Sequence, residues 1–134
     1  MAGAVAMAAH PVSGGHYKGK IQNSPINTVI KFKVSNDGTT VKRLRTKLDP
    51  VFNADVCGGV TQSVEQESDP AHISRRGKFR GKINYTYPDS GNTKGKAIVK
   101  GKFRRHHRAT GKVKATFNNP DCDGTAHFQT KVIG

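Results

Sequence analysis

Apolar and basic residues alternate one by one along several stretches of this chain, and this pattern constrains the fold most strongly. Phe79, Gly81 and Ile83, for example, alternate with Arg80 and Lys82. Because successive side chains of a strand point to opposite sides, the alternation predicts strands with one face in a core and one in water. The strands predicted in this way cover residues 16–22, 27–35, 39–48, 78–87, 95–104, 109–117 and 125–132, with a further short strand over 51–57.

Turn residues separate the predicted strands at short intervals. Asn36-Asp37-Gly38 predicts a tight hairpin, Pro88–Asn92 predicts a second one, and Asn118–Gly124 turns the chain into its last strand. Strands joined by hairpins are antiparallel neighbours. Seven to eight such strands predict an all-β fold, either an antiparallel meander barrel or a two-sheet β-sandwich.

Glycine recurs at inward positions of the predicted strands. Gly19, Gly81 and Gly101 each lie two residues from an aromatic residue on the same face. A glycine at such a position lets the strand bend, or lets an aromatic ring from a neighbouring strand lie flat over it. We therefore expect these glycines to be architectural.

The first thirteen residues differ from the rest of the chain. Met1–Ala9 is small and apolar but too short to span a bilayer, and it has no basic segment before it. We interpret residues 1–13 as a disordered leader or a signal-peptide remnant, and 14–134 as a single β domain. The signal-peptide interpretation predicts a secreted or extracytoplasmic protein.

Two cysteines, Cys57 and Cys122, lie in similar glycine- and aspartate-rich settings. An even number of cysteines in an exported chain favours one disulfide between them, and the alternative is two reduced thiols in a cytosolic protein. The bridge would clamp the long 49–76 connection, which lacks sustained alternation, to the last turn.

The chain is strongly basic, with 23 Lys and Arg against 9 Asp and Glu and a formal charge of +14. Such a charge indicates polyanionic partners: an acidic polysaccharide, a cell-wall polymer, a nucleic acid or an anionic membrane surface. Outward cations of three successive strands are expected to form one basic sheet face, against the alternative of a merely solvated surface. The residues predicted to bind a polyanion are Arg75, Arg76, Lys78, Arg80, Lys82, Lys100, Lys102, Arg104, Arg105, Arg108, Lys112 and Lys114.

No pattern of residues predicts catalysis. We find no nucleophile beside a base, no paired inward carboxylates and no phosphate-binding loop, so we expect no enzyme activity and no cofactor. His106 and His107 are adjacent and would point to opposite sides of a strand, so a basic hairpin tip is favoured over a metal site.

The leading hypothesis is therefore a non-enzymatic secreted domain that binds an anionic polymer or surface through its basic face. One alternative is a structural or protein-interaction module, and another is a small-molecule carrier with a barrel lumen. The lumen would be lined by Tyr17, Phe79, Tyr85 and Phe103. The oligomeric state is left open.

Several short motifs also resemble a known group of proteins. They are Gly15-x-Tyr17-x-Gly19, the strand before Asp37-Gly38, Cys57 followed by glycine, Ala109–Val113, and Cys122-x-Gly124 with Phe128 after it. Over residues 15–132 this pattern is similar to small exported all-β proteins of unknown function from actinobacteria, although those often carry Trp where this chain has Phe128. The resemblance implies export and a disulfide, and it implies no activity.

Overall fold

A computed structural model describes residues 10–22, 29–47, 65–87, 93–117 and 124–134. Within these ranges the fold is all-β, and no segment has the length and apolar character of a membrane-crossing helix. The strands are β1 (His16–Ile21), β2 (Val29–Val34), β3 (Thr40–Lys47), β4 (Glu65–Glu67), β5 (Ala71–His72), β6 (Lys78–Tyr87), β7 (Thr93–Arg104), β8 (Arg108–Phe117) and β9 (Gly124–Val132).

The prediction of an all-β antiparallel fold is confirmed. Each of the seven longer predicted strands coincides with a strand of the structure to within two residues at either end. The short strands β4 and β5 were not predicted, because neither carries sustained alternation of apolar and polar residues. The strand predicted over 51–57 lies outside the described residues.

The strands form one antiparallel sheet that is nearly closed into a barrel. The order is β4-β3-β2-β1-β9-β8-β7-β6, and β5 pairs with β3 beside β4. Two meanders, β1 to β3 and β6 to β9, are joined because the first and last strands of the domain pair, with Gly19 opposite Thr130. The open seam lies between β6 and the short strands β4 and β5, which β6 contacts.

Three turns between described strands lie at one end of the barrel. They are the predicted hairpin around Asp37, the Ser74–Gly77 turn before β6, and the Arg105–His107 turn between β7 and β8. Residues 23–28, 48–64, 88–92 and 118–123, which connect the remaining strands in sequence, are outside the described ranges. The predicted turns over 88–92 and 118–123 therefore remain predictions, although β6 and β7 pair as far as Tyr87 and Thr93.

Aromatic rings fill the described part of the barrel interior. Tyr17 stacks on Phe32 with ring centroids 4.9 Å apart, and Phe103 lies edge-on to Tyr17 at 5.3 Å. Phe79 contacts both phenylalanines, with centroid distances of 5.2 Å to Phe32 and 5.4 Å to Phe103. These rings come from β1, β2, β6 and β7, so they join opposite walls of the barrel into one core.

Glycines permit this packing, as the sequence predicts. The ring of Phe79 lies directly over Gly101, so a side chain there would meet the ring, whereas a side chain at Gly111 would meet the backbone carbonyl of Lys100 and the ring of Phe128. At Gly19, an added Cβ would overlap the backbone carbonyl of Gln129 on the paired strand β9. Gly19 is therefore required by the close approach of β1 to β9, where the two meanders join.

A β-bulge in β3 was not predicted. Lys33 pairs with Lys42 and Lys31 pairs with Arg45, so one residue of β2 faces Arg43 and Leu44 together. Arg43 takes the extra position with a φ of 53°. Because the bulge restores the alternation, Leu44 is buried in the core while Arg45 remains on the outer side.

The segment before β1 contacts the domain. The backbone N–H of Val12 donates to the hydroxyl oxygen of Tyr17 at 3.0 Å, and burial raises the pKa of that phenol. The predicted boundary of the leader at residue 13 thus falls within the described chain, and residues 1–9 lie outside it.

The Asp37 hairpin is held by side-chain hydrogen bonds. The carboxylate accepts from the hydroxyls of Ser35 and Thr39 and from the backbone N–H of Thr39. These donors, that of Ser35 most strongly, lower the pKa of Asp37 from 3.8 to about 2. The ionised carboxylate therefore stabilises the connection between β2 and β3.

Gly19→Ala is expected to destabilise the fold by about 3 kcal/mol, the upper end of the cost of overpacking, because the obstructing atom belongs to the backbone. Gly81→Ala is the matched control, since its Cβ would meet the end of the Leu44 side chain, which can move. Urea unfolding measures the free energy of unfolding of each variant and of the wild type. Equal losses in the two variants would contradict the close approach of β1 to β9.

Asp37→Asn is expected to lose stability at neutral pH and to lose much less at pH 2, where about half of the wild-type carboxylate is protonated. The folded-state pKa of about 2 lies below the ordinary value of 3.8 for an aspartate. The stabilisation from ionised Asp37 is therefore complete well above pH 4 and disappears as the pH falls through 2. Thermal unfolding of the variant and the wild type between pH 2 and 6 measures the difference, which must shrink on acidification.

Candidate polyanion-binding face

Strands β6, β7 and β8 present their basic residues on one continuous outer face. Strict alternation buries Phe79, Ala97 and Val113 and turns their neighbours outward. The outward cations of these strands that belong to the predicted site are Lys78, Arg80, Lys82, Lys100, Lys102, Arg104, Arg108, Lys112 and Lys114. We call this set the basic face.

The other predicted residues lie at its margin. Arg75 and Arg76 are exposed in the turn before β6, and Arg105 is exposed in the turn between β7 and β8. Both turns are at the same end of the barrel, because the N–H of Phe103 donates to the carbonyl of Gly77 beside them. All twelve predicted residues are thus on three neighbouring strands or on the turns that enter and join them.

Cations of the basic face lie directly opposite one another. Lys100 of β7 has Arg80 on one side and Lys112 on the other, and Lys78 is paired with Lys102. Directly opposed residues have Cβ atoms only about 5 Å apart, and like charges at this spacing destabilise a sheet. No acidic residue of the described chain interrupts these pairs.

A groove crosses the outer face over β7, β8 and β9. Its volume is about 670 Å³, and the paired glycines Gly101 and Gly111 form part of its floor. Its cationic lining residues are Lys78, Lys100, Lys102, Arg104 and Lys112. Thr110, His127, Gln129 and Gln22 add polar groups that can donate hydrogen bonds. The groove therefore combines five positive charges with further hydrogen-bond donors, over a surface formed by the glycine backbone and Phe128.

The arginines at the β7–β8 turn are held in place by neighbouring groups. Arg104 Nε donates to Thr110 Oγ1 at 3.1 Å, and Arg108 Nε donates to the carbonyl of Arg105 at 3.4 Å. His106 and His107 between them have left-handed backbones, with φ values of 64° and 57°. Two consecutive non-glycine residues of this kind are uncommon, and they make this basic hairpin tip a strained turn.

Sequence reasoning missed the part of the groove that comes from β9 and β1. His127 and Gln129 on β9 lie beside β8, and Gln22 follows β1, which pairs with β9. The pairing of the first and last strands would have indicated these residues. Outward cations also occur on β1, β2, β3 and β9, for example Lys18, Lys33, Lys42 and Lys131, so positive charge is not confined to the predicted face.

The aromatic side chains whose burial the structure describes expose almost no surface on the outer face, although Phe128 is among the residues that line the groove. Tyr17, Phe32, Phe79, Phe103 and Phe128 are all buried. Three of the four residues predicted to line a lumen, Tyr17, Phe79 and Phe103, pack against one another, and the side chain of Tyr85 is outside the described set. The described interior is thus occupied by side chains.

Cys57 and Cys122 also lie outside the described residues, so the disulfide remains a prediction. A scan against protein-family models, a search of curated proteins and a search of solved structures found no match for this chain. The resemblance to exported actinobacterial proteins therefore also remains a prediction.

Lys100→Gln is expected to raise stability by about 0.5 kcal/mol at low salt, because it relieves two directly opposed like-charge pairs. The gain should shrink at high salt, where the charges are screened. Lys96→Gln is the control, since Lys96 lies opposite the neutral residues Asn84 and Thr116. Melting temperatures at two salt concentrations test this, and equal responses of both variants would contradict it.

Proposed function

We propose that this protein is a non-enzymatic domain that binds an anionic polymer or surface through its basic face, with the groove over β7, β8 and β9 as the principal contact. The observation that carries the proposal is the row of directly opposed cations, Arg80, Lys100 and Lys112, on a face without a described acidic residue. Such an arrangement costs folding stability in the absence of a ligand. A bound polyanion removes that cost and releases its own counterions.

The chemistry of the groove favours phosphate or sulfate groups on a flexible chain. Its lysines act as mobile point charges, and Arg104 and the neutral donors Thr110 and Gln129 can orient the same oxygens. Proteins that bind single-stranded nucleic acids stack bases on aromatic side chains. Because the described aromatic side chains are buried, we favour a polymer recognised by charge, such as an acidic polysaccharide or a cell-wall polymer.

The proposed ligand class also implies that the protein is exported. Acidic polysaccharides and cell-wall polymers are located outside the cytoplasm, which agrees with the signal-peptide interpretation of residues 1–13 and with a Cys57–Cys122 disulfide. Measurement of the mass before and after reduction and alkylation tests the disulfide separately from ligand binding.

Retention on immobilised heparin tests the basic face. The variant Lys100→Glu/Lys102→Glu/Lys112→Glu places three negative charges in the groove and is expected to abolish retention at moderate salt. For the wild type, five neutralised cations predict a slope of log affinity against log salt of about −3.5, by analogy with single strands. Circular dichroism checks that the variant is folded.

The matched control is Lys33→Glu/Lys42→Glu/Lys96→Glu, which changes the net charge equally away from the groove. We expect this control to remain on the column at salt concentrations that release the groove variant. Equal loss in both variants would show that only net charge matters and would contradict the groove. Salt-independent capture of a protein partner would instead support the alternative of a protein-interaction module.

A further inference from the structure

The pairing of β1 with β9 creates a line of cations that extends beyond the basic face. Arg104 lies opposite Arg108, and Arg108 lies opposite Lys131 on β9. Lys131 is paired with Lys18 on β1, and Lys18 with Lys31 on β2. We call these five residues the cationic row: Arg104, Arg108, Lys131, Lys18 and Lys31.

The row is located on the outer surface throughout. Arg104, Arg108, Lys131 and Lys18 are exposed, and Lys31 is half-buried. Neighbouring strands are about 4.8 Å apart, so the four steps of the row span about 19 Å around the barrel. The next residue in register is Arg45 on β3, whose Nε is 3.9 Å from Glu67 Oε1. The acidic strand β4 thus ends the line of positive charge on that side.

The cationic row begins at the groove. Arg104 lines the groove and is also the first member of the row. Its guanidinium is fixed by Thr110, while Arg108 is tied to the carbonyl of Arg105 in the strained turn. A polymer in the groove therefore meets positioned guanidinium groups at the point where the row leaves the basic face.

We propose that a bound polyanion continues from the groove along the cationic row and wraps around the barrel to β2, beyond the predicted face. This inference rests on the proposed function and adds the path of the ligand. Its consequence is a dependence on length. A short anion fills the groove alone, whereas a chain that also covers the 19 Å row makes further charge contacts through Lys131 and Lys18.

Inorganic polyphosphate of graded chain length is the probe, because it carries charge and no other recognition element. Wild-type affinity should rise steeply with length until the chain covers both the groove and the row, and only slowly thereafter. Lys18→Gln/Lys131→Gln should weaken the binding of long chains about tenfold and should leave short chains unchanged. For long chains, the slope of log affinity against log salt should be smaller in magnitude by about 1.4 in this variant than in the wild type.

The control is Lys42→Gln/Lys96→Gln, which removes two exposed cations outside the groove and the row. This control should weaken the binding of long chains less than threefold. Both substituted lysines of the test variant are exposed and directly opposed, so removing them relieves repulsion, and thermal unfolding checks the fold. Unchanged binding of long chains by Lys18→Gln/Lys131→Gln, or an equal loss in the control, would overturn the wrapped path alone. Failure of the wild type to bind any chain length would overturn the proposed function itself.

Discussion

The backbone pairing between β1 and β9 is the contact on which the rest of this structure depends. It joins the two meanders, encloses the aromatic core and makes the outer surface continuous. The contact is possible because Gly19 leaves room for the carbonyl of Gln129. This one backbone contact therefore turns strands that are specified locally into one barrel-shaped sheet. It also brings the outward cations of both meanders onto one surface.

Much of the fold follows from neighbouring residues alone. The alternation around Phe79 and Ile83 predicts β6 and its buried face, and Asn36-Asp37-Gly38 predicts the hairpin between β2 and β3. These features depend on side-chain direction and turn chemistry, which are local properties of a chain. The burial of Phe79 and Phe103 could also be predicted, because both lie on apolar faces of alternating strands.

Other features depend on distant parts of the chain and could not be predicted in the same way. The adjacent basic residues Lys42 and Arg43 interrupt the alternation in β3, but only the register with β2 shows that a bulge absorbs the interruption, and the acidic β4 has no apolar face to indicate a strand. The contributions of His127 and Gln129 to the groove require the register of β8 with β9. The twelve predicted cations are close in sequence and so could be predicted together, whereas Lys18 and Lys131 join the same surface only through the pairing of β1 with β9.

The contact between Phe79 and Gly101 has a consequence for how such a sequence can vary. The two residues are paired across β6 and β7, and the ring occupies the space that any side chain at residue 101 would need. A larger residue at 101 is therefore compatible with the barrel only if residue 79 becomes smaller at the same time. In related sequences we expect the two positions to covary as a large–small pair, so that this covariation would identify the barrel register even where the surface charge has diverged.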